Sequence, residues 1–178
     1  MKYFRKINGN GLYLSPLNTE DFDLYCKWLN DPDLGPFIDT ASKIFSIERE
    51  KEVLAKLANE NSYLAIVLNE NDEMIGDCSV MNIDTISRSA ELGMIIGEKK
   101  NRNNGYGSEV LKILIQYCFE ILNLNSLYGR IFDFNIPSRK LCEKIGFKEC
   151  GVRHEAYYVN GCYHDEIFVE LLRRNYHS

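Results

Sequence analysis

The sequence predicts a mixed α/β fold in which helices flank a twisted, mainly antiparallel sheet. The order of elements from Gly11 onward, a strand, two helices and then three strands in a meander, is typical of this class. A long amphipathic helix and a closing hairpin follow. We therefore expect six or seven strands and about four helices, and the length of 178 residues predicts a single domain over 1–178.

The first part of the chain contains one predicted strand and two predicted helices. The strand lies within Gly11 to Leu17, and the N-cap residues Asn18 to Asp21 precede the first helix. Pro32 follows that helix and ends it, because proline lacks an amide donor and restricts the residue before it. Residues 34–45 have no clear period and predict a loop or short turns. Ser46 is placed to cap a second helix that runs to about Asn59.

The middle of the chain predicts three strands followed by a helix. Tyr63 to Leu68 is an apolar run with the length of a buried strand, and a polar turn leads from it into a strand from Met74 to Ile83. The third strand spans Ser89 to Ile96. From about Ser108 to Leu122 the apolar residues recur at helical spacing, so we expect an amphipathic helix that packs on the sheet.

A strand, a helix and a hairpin complete the chain. Leu127 to Phe132 predicts a strand, and Pro137 suits the first turn of a helix that runs to Lys144 and ends at Gly146. The dipeptide Asn160-Gly161 is a strong signal for a tight hairpin turn. The flanking strands are predicted at Phe147 to Tyr158 and Cys162 to Leu172.

Charge and hydropathy exclude several classes of function. Lys and Arg number 21 against 26 Asp and Glu, a net charge of −5, which disfavours nucleic-acid binding because that depends on surplus cations. The longest apolar run is too short to cross a bilayer, and the N-terminus lacks the apolar stretch of a signal peptide. We therefore expect a cytoplasmic protein with neither a nucleic acid nor a membrane as partner.

The cysteine pattern predicts neither a disulfide framework nor a metal site. No two cysteines form a CxxC pair, and only Cys162 has a histidine, His164, close to it in sequence. We expect reduced, mostly buried thiols and no bound metal. The six cysteines are Cys26, Cys78, Cys118, Cys142, Cys150 and Cys162.

The segment from Arg102 to Ser108 has the composition of an anion-binding loop. It lies between a predicted strand and a predicted helix, where successive main-chain N–H groups and the helix dipole can meet one phosphate. Gly105 and Gly107 let the main chain approach a pyrophosphate, while Lys99, Lys100 and the arginine supply mobile positive charge. A P-loop is excluded because no Gly-Lys-Ser/Thr follows, and the third glycine of a Rossmann loop is missing. A polar surface turn is the alternative interpretation.

The RxxGxG pattern of Arg102 to Gly107, followed later in the chain by Asn135 to Phe147, resembles the acetyl-CoA signature of the GNAT acyltransferase superfamily. The strand Ala90 to Gly97 and the tail, with Asn160-Gly161 and Leu171-Leu172, are further similar to the RimJ/RimL-type branch. That branch includes acetylases of ribosomal-protein N-termini and relatives that act on polyamines. The resemblance implies a GNAT-type sheet, acetyl-CoA as cosubstrate and transfer of an acetyl group to a primary amine.

The resemblance also implies which residues hold the cosubstrate. The strand before the loop would separate from its neighbour, pair with the pantetheine arm and supply a main-chain N–H to the oxyanion. Asn135 would bond the pantetheine amide, with Ser138 on the same helix face, and Lys144 would face solvent or the adenosine phosphate. The strand and loop residues implied are Met94, Ile95, Ile96, Arg102, Asn103, Asn104, Gly105, Tyr106, Gly107 and Ser108.

Direct transfer requires a general base for the amine and a general acid for the departing thiolate. The position of Glu91 is similar to that of the catalytic glutamate in some GNAT enzymes, and Glu91 is our candidate base. The alternative is that Glu91 is a structural carboxylate and that an ordered water accepts the proton. Cys142 stands where many GNAT enzymes place a tyrosine, so Ser138 or Cys142 is the candidate acid. A buried, inert Cys142 is the alternative.

In the relatives the last hairpin borders the acceptor, and here Asp165 and Glu166 could hold a cationic amine. Its aromatic side chains are more typical of cross-strand pairs. We expect a small-molecule amine or a protein N-terminus as acceptor, and direct attack rather than a cysteine acyl-enzyme. A homodimer is left open. The rival function is a catalytically silent acyl-CoA-binding sensor or regulatory module, which the cysteine at position 142 leaves open.

Overall fold

The structure is a computed structural model that describes residues 1–176. Eight strands and four α-helices are found in this part of the chain. The strands are β1 Ile7–Asn8, β2 Leu12–Pro16, β3 Tyr63–Leu68, β4 Met74–Asp84, β5 Ser89–Ile96, β6 Ser126–Phe132, β7 Lys148–Val159 and β8 Cys162–Leu172. The helices are α1 Phe22–Leu29, α2 Ile47–Ala58, α3 Tyr106–Gln116 and α4 Ile136–Ile145.

The eight strands form one sheet in the order β1-β2-β3-β4-β5-β6-β8-β7. The predicted mixed α/β class is confirmed. The strand count exceeds the prediction by one because β1 has only two residues, too few to produce a periodic signal. None of the helices within residues 1–176 is long and apolar enough to cross a membrane.

By its internal contacts the chain forms two compact units. The first unit comprises residues 1–79 and 94–110, and the second comprises residues 80–93 and those from 111 onward. In the first unit, neighbouring strands from β1 to β4 pair antiparallel. The predicted cap of α2 is confirmed, since the Ser46 side chain accepts from the N–H of Arg49. The Asn18 side chain accepts from the N–H of Glu20 and caps a 3₁₀ turn, Thr19–Asp21, that leads into α1.

Buried aromatic and aliphatic side chains form the core of the first unit. Trp28 on α1 packs directly on the main chain at Gly97, leaving no room for a Cβ, and its indole N–H donates to Glu98 Oε1 at 3.2 Å. Burial of each large side chain contributes roughly 1.5–3 kcal/mol. The buried cluster comprises Tyr3, Tyr13, Tyr25, Trp28, Leu34, Leu54, Ala65, Val67 and Met74.

Gly76 lets β4 approach the end of β5 closely. A Cβ at this position would overlap the carbonyl of Ile95, so only glycine is compatible with the spacing of the two strands here. At the preceding residue of β4, the carbonyl of Ile75 accepts from the N–H of Gly97 at 2.9 Å. The end of β5 is therefore fixed on one edge by β4 and on one face by Trp28.

In the second unit, β8 pairs antiparallel with both β6 and β7. Strand β5 runs parallel to β6, with residues 89–91 opposite residues 126–128, and both strands continue beyond this paired stretch. Asn160 and Gly161 have φ values of 53° and 83°, the left-handed conformation of a two-residue hairpin turn. The predicted hairpin between β7 and β8 is therefore confirmed.

The helix predicted from Ser108 to Leu122 differs from the observed one at both ends. Helix α3 starts at Tyr106 and ends at Gln116, and a wider π-helical turn follows from Tyr117 to Ile121. Cys118 and Phe119 in this turn are both fully buried. The prediction assumed 3.6 residues per turn throughout, and a π turn changes that period locally.

A carboxyl group is buried in the first unit. Asp77 lies on β4 opposite Ala65 of β3, and only 8% of the residue is exposed. Burial raises the pKa of Asp77 to about 6, although the neighbouring Tyr25 hydroxyl acts in the opposite direction. The folded chain therefore favours the protonated form of Asp77 more strongly than the unfolded chain does.

Asp77→Asn is expected to raise the free energy of unfolding at neutral pH by about 1–3 kcal/mol, because it removes a charge that burial disfavours. The contribution of Asp77 to stability is fully present below its unfolded pKa, near 3.8, and is lost as the pH rises through its folded value of about 6. Urea unfolding at about pH 4.5 and about pH 7.5 checks this, since the advantage of the variant should grow with pH. The same advantage at both pH values would contradict it.

Candidate functional site

The loop between β5 and α3 is tied down by the Arg102 side chain. Its Nε donates to the carbonyl of Ile96 at 3.1 Å, and its terminal NH2 group donates to the carbonyl of Gly97 at 2.6 Å. The Asn104 side chain donates to the carbonyl of Lys100 at 2.9 Å. The predicted phosphate ligand Arg102 thus has another role in the structure, which is to hold the loop against the end of β5.

Main-chain N–H groups in the loop and at the first two positions of α3 lack acceptors in the described part of the chain. The N–H groups of Ser108 and Glu109 both donate to the carbonyl of Gly105, at 3.0 and 3.1 Å. For the preceding residues, 103–107, no hydrogen bond from the main-chain N–H to an acceptor within residues 1–176 is present. Asn103 and Gly105 have φ values of 63° and 85°, and the space beside the Gly105 Cα is open. Such a run of free N–H groups at a helix N-terminus is suited to bind an anion.

The two lysines before the loop are engaged with acidic side chains. Lys100 Nζ lies 2.7 Å from Glu73 Oε1, and Lys99 Nζ lies 3.8 Å from Asp33 Oδ2. The hydrogen bond with Glu73 raises the pKa of Lys100, and it lowers the pKa of Glu73. These contacts leave less free positive charge beside the loop than the sequence predicts.

At the end of β5, one edge of the strand lies against β4. The Ile95 carbonyl lies against Gly76 of β4. Because successive residues of a strand present their main-chain groups to opposite edges, those of Met94 and Ile96 face the other edge. The Ile96 carbonyl already accepts from Arg102, so the groups at this edge that we expect to be available are the N–H and carbonyl of Met94 and the N–H of Ile96.

The second unit holds Glu91 in a fixed position. Its Oε1 accepts from Arg130 Nε at 2.7 Å, and its Oε2 accepts from Asn82 Nδ2 at 2.9 Å. The side chain is only 7% exposed. Pairing with this carboxylate raises the pKa of Arg130. Each oxygen of Glu91 is thus hydrogen-bonded to a protein donor, as expected for a structural carboxylate.

Helix α4 carries the predicted acid candidates. The Asn135 side chain caps the helix, with Oδ1 accepting from the N–H of Ser138 at 3.3 Å, which leaves its Nδ2 group for other contacts. Burial raises the pKa of the Cys142 thiol to about 11. The thiol is therefore protonated at neutral pH and is a weak acid and a poor nucleophile. Ser138 is half-buried and Lys144 is exposed.

Side chains of the last hairpin are paired with one another. Tyr158 and Tyr163 lie directly opposite each other, with ring centroids 4.9 Å apart, a cross-strand pair as the sequence predicts. Asp165 accepts from the N–H of Glu155 and contacts His154, and both contacts lower its pKa. Asp165 and the buried Glu166, the two acids predicted to hold a cationic amine, therefore each have protein partners.

Comparison with known proteins identifies the family. A family model described as acetyltransferase (GNAT) domain matches residues 11–148. The chain belongs to the GNAT acetyltransferase family. It is therefore an acyltransferase that acts on amines. GNAT enzymes use acetyl-CoA, and the free N–H groups beside the open space at Gly105 fit the diphosphate of that molecule.

The relatives of this GNAT chain match it over most of its length. N-acetyltransferase p20 of Bacillus licheniformis is 29% identical over 171 residues, which cover 93% of this chain and 94% of that protein. YdaF of Bacillus subtilis, named as a ribosomal N-acetyltransferase, is 36% identical over 152 residues, covering 83% and 82%. The crystal structure of spermidine N-acetyltransferase from Vibrio cholerae with CoA and spermine is similar with a TM-score of 0.83, at 25% identity, covering 93% and 98%.

Sequence reasoning did not find several paired side chains of the second unit. Arg130 and Arg153 contact the carboxylates of Glu91 and Glu166, and Asp133 Oδ1 contacts His164 Nδ1 at 2.9 Å. The alternation of Tyr128, Arg130 and Phe132 along β6 is a signal that these side chains share one face. Their partners depend on strand register, which the sequence does not show. Within residues 1–176, no group of His, Cys, Asp or Glu side chains is arranged to hold a metal ion.

Gly105→Asp is expected to weaken CoA binding by about tenfold or more relative to Gly105→Asn, because it places a negative charge among the free N–H groups. Asn and Asp have nearly the same shape, and both tolerate the left-handed conformation of this position. Titration calorimetry with CoA at low salt measures the difference, and thermal unfolding checks that both variants fold. Equal CoA affinity of the two variants would show that the diphosphate lies elsewhere.

Proposed function

We propose that this chain is an acetyl-CoA-dependent N-acetyltransferase in which a primary amine attacks the thioester directly in a ternary complex. The run of free main-chain N–H groups at residues 103–107 is the observation that carries the proposal, because successive N–H groups at a helix N-terminus are suited to bind a diphosphate. The identity to YdaF and the shared fold of the spermidine enzyme support an amine acceptor of the RimJ/RimL-like kind. We further propose that residues 1–178 act as one acetyltransferase domain.

The loop and β5 are proposed to bind the cosubstrate together. The N–H groups from Asn103 to Gly107 would hold the diphosphate, while Arg102 acts as a positioning residue through the Ile96 and Gly97 carbonyls. The main chain of Met94 and Ile96 would pair with the pantetheine arm as an added strand does. One of these N–H groups would then stabilise the oxyanion that forms when the amine attacks.

Helix α4 is proposed to contribute polar contacts to the same molecule. The Nδ2 group of Asn135 remains free to donate to a pantetheine carbonyl, since only its oxygen is used by the cap. The Ser138 side chain lies one turn further along the helix. Lys144 is exposed and would neutralise the adenosine phosphate. Each of these assignments can be examined by measuring CoA affinity after substitution.

We propose that Glu91 orients Arg130 and that an ordered water takes the proton from the attacking amine. Both carboxylate oxygens of Glu91 are hydrogen-bonded to protein donors, and the side chain is nearly buried, so the carboxylate is poorly placed to receive a proton from a substrate. Protonation of the leaving thiolate by Cys142 or Ser138 stays a proposal. The raised pKa of Cys142 disfavours an acyl-enzyme and supports direct attack.

Turnover with an amine panel tests the proposed function. Purified protein is mixed with acetyl-CoA and spermidine, peptides with Ser or Ala at the N-terminus, or amino sugars, while the release of the CoA thiol is followed. We expect acetylation of at least one amine class above the rate of hydrolysis without amine. CoA binding without turnover of any amine would instead support the silent sensor or regulatory module.

The Glu91→Gln variant distinguishes two roles for Glu91, which are positioning Arg130 and acting as the general base. If Glu91 positions Arg130, the variant should change KM or stability while the pH profile of kcat keeps its shape. If Glu91 is the base, kcat should fall well over tenfold and its rise with pH should flatten. Cys142→Ala serves as a comparison variant, and retained turnover in it would remove the thiol from the list of proton donors.

A further inference from the structure

Four charged side chains form a chain of contacts on one face of the second unit. Arg130 on β6 contacts Glu91 on β5 at 2.7 Å and Glu166 on β8 at 3.4 Å. Glu166 also contacts Arg153 on β7 at 3.3 Å. We call these four side chains the arginine–glutamate cluster. Strand register supports this arrangement, because Arg153 lies directly opposite Glu166.

The exposed part of this cluster is positively charged. The side chains of Glu91 and Glu166 are 7% and 9% exposed, whereas those of Arg130 and Arg153 are 48% and 64% exposed. A molecule that approaches this face therefore meets the guanidinium groups before it meets the carboxylates. The cluster is neutral as a whole, but its accessible surface is cationic.

Both arginines have hydrogen-bond donors to spare. A guanidinium has five N–H groups in a planar fork. Arg130 uses Nε and one terminal nitrogen, and Arg153 uses one terminal nitrogen, in their contacts with acceptors in the described chain. The remaining N–H groups are available for a carboxylate or phosphate, which match the fork geometry.

The neighbouring carboxylates already have partners. Asp133 uses Oδ1 for His164 at 2.9 Å and Oδ2 for the N–H of Asp165 at 3.2 Å. Asp165 in turn binds His154 and the N–H of Glu155. Part of the negative charge of these two carboxylates is therefore already matched by donors within the described chain, which leaves the guanidinium groups as the exposed charges of the cluster.

A flat aromatic surface lies on the same strands. The rings of Phe132 and Tyr157 are stacked with centroids 4.1 Å apart and 12° between their planes, and Phe134 stacks on Phe132 at 5.7 Å. Phe132 follows Arg130 by two positions on β6, so the two side chains are on the same face, and Phe132 lies opposite Glu166 in register. All three rings are partly exposed. Apolar or ring atoms of a ligand can pack on this surface while its charged group contacts the arginines.

We propose that the acceptor is a small amine that also carries a carboxylate or phosphate group, and that Arg153 and Arg130 bind this anionic group. The inference rests on the proposed function, since it names the acceptor class for the same reaction. It disfavours polyamines, because the exposed groups of the cluster are guanidiniums, which repel a second positive charge. Arg153 is a specificity-determining residue in this scheme, whereas Arg130 is also held by Glu91.

Matched pairs of amines test the charge preference. Glucosamine 6-phosphate is compared with glucosamine, and the dipeptide Ala-Ala with its C-terminal amide, so that each pair differs in the anionic group. We expect kcat/KM for the anionic member of at least one pair to exceed that of its neutral partner by about tenfold or more. The pair in which the anionic member is preferred shows whether the arginines favour a phosphate or a carboxylate. Equal values within both pairs, or a preference for spermidine, would overturn the inference.

Variants of Arg153 test the residue assignment. Arg153→Gln should raise KM for the anionic amine about tenfold or more and leave the CoA affinity unchanged, while KM for the neutral partner stays within about threefold. Arg153→Lys should restore part of the loss, because it keeps the charge but not the planar fork. Arg174→Gln is the matched control, since Arg174 is an exposed arginine outside the cluster. Equal effects of the Arg153 and Arg174 substitutions would contradict the assignment.

Equilibrium binding separates this inference from the proposed function. Glucosamine 6-phosphate and Ala-Ala are titrated into the full chain saturated with CoA, for the wild type and Arg153→Gln. Binding that depends on Arg153, without turnover of any amine, would support the anionic ligand and overturn the enzymatic proposal. Turnover of amines without a preference for the anionic ones would support the proposed function and overturn this inference. If neither probe binds more tightly than its neutral partner, the inference is wrong.

Discussion

The Arg102 guanidinium is the contact on which the geometry of the candidate cosubstrate loop depends. A loop that offers its main-chain N–H groups to a ligand cannot use those groups to stabilise itself, so its stability must come from side chains. Arg102 supplies it by donating to two carbonyls at the end of β5. Those carbonyls are themselves held in place, because Gly97 lies under Trp28 and is hydrogen-bonded to Ile75 of β4. The position of the free N–H groups therefore rests on the hydrophobic core of the first unit.

The lysines beside the loop are consistent with this division of roles. A chain with net charge −5 repels a diphosphate at long range, and free lysines would reduce that repulsion. Lys100 is instead paired with Glu73, and Lys99 lies near Asp33. The proposed binding of the diphosphate would then rely on neutral N–H dipoles in a fixed arrangement rather than on mobile charges. Such dipoles impose a direction and a spacing on the ligand, which mobile lysine side chains do not.

Local signals in the sequence predicted most elements of the fold, because caps, turns and periodicity depend on neighbouring residues. Ser46, Gly146 and the Asn160-Gly161 turn each act through the main chain next to them, and each was predicted correctly. The contacts of Arg130 could not be predicted in this way. Its partners are 39 and 36 positions away in sequence and become neighbours only through the registers of β5, β6 and β8. The role of Arg102 was missed for a related reason, since an arginine near glycines has the composition of a phosphate ligand whether or not its donors are already occupied.

Buried charge differs between the two units in a way that bears on mechanism. In the first unit, Asp77 is buried beside the Tyr25 hydroxyl, and burial raises its pKa. In the second unit, Glu91 and Glu166 are at least as buried as Asp77 but contact guanidinium groups. These contacts supply hydrogen-bond donors to the buried carboxylates and so offset the cost of burying them. A carboxylate held in this way serves better to fix the direction of an arginine than to exchange protons with a substrate. Glu91 thus lies in an arrangement that presents the positive charge of Arg130, and this is the physical reason to look for the acceptor among anionic amines.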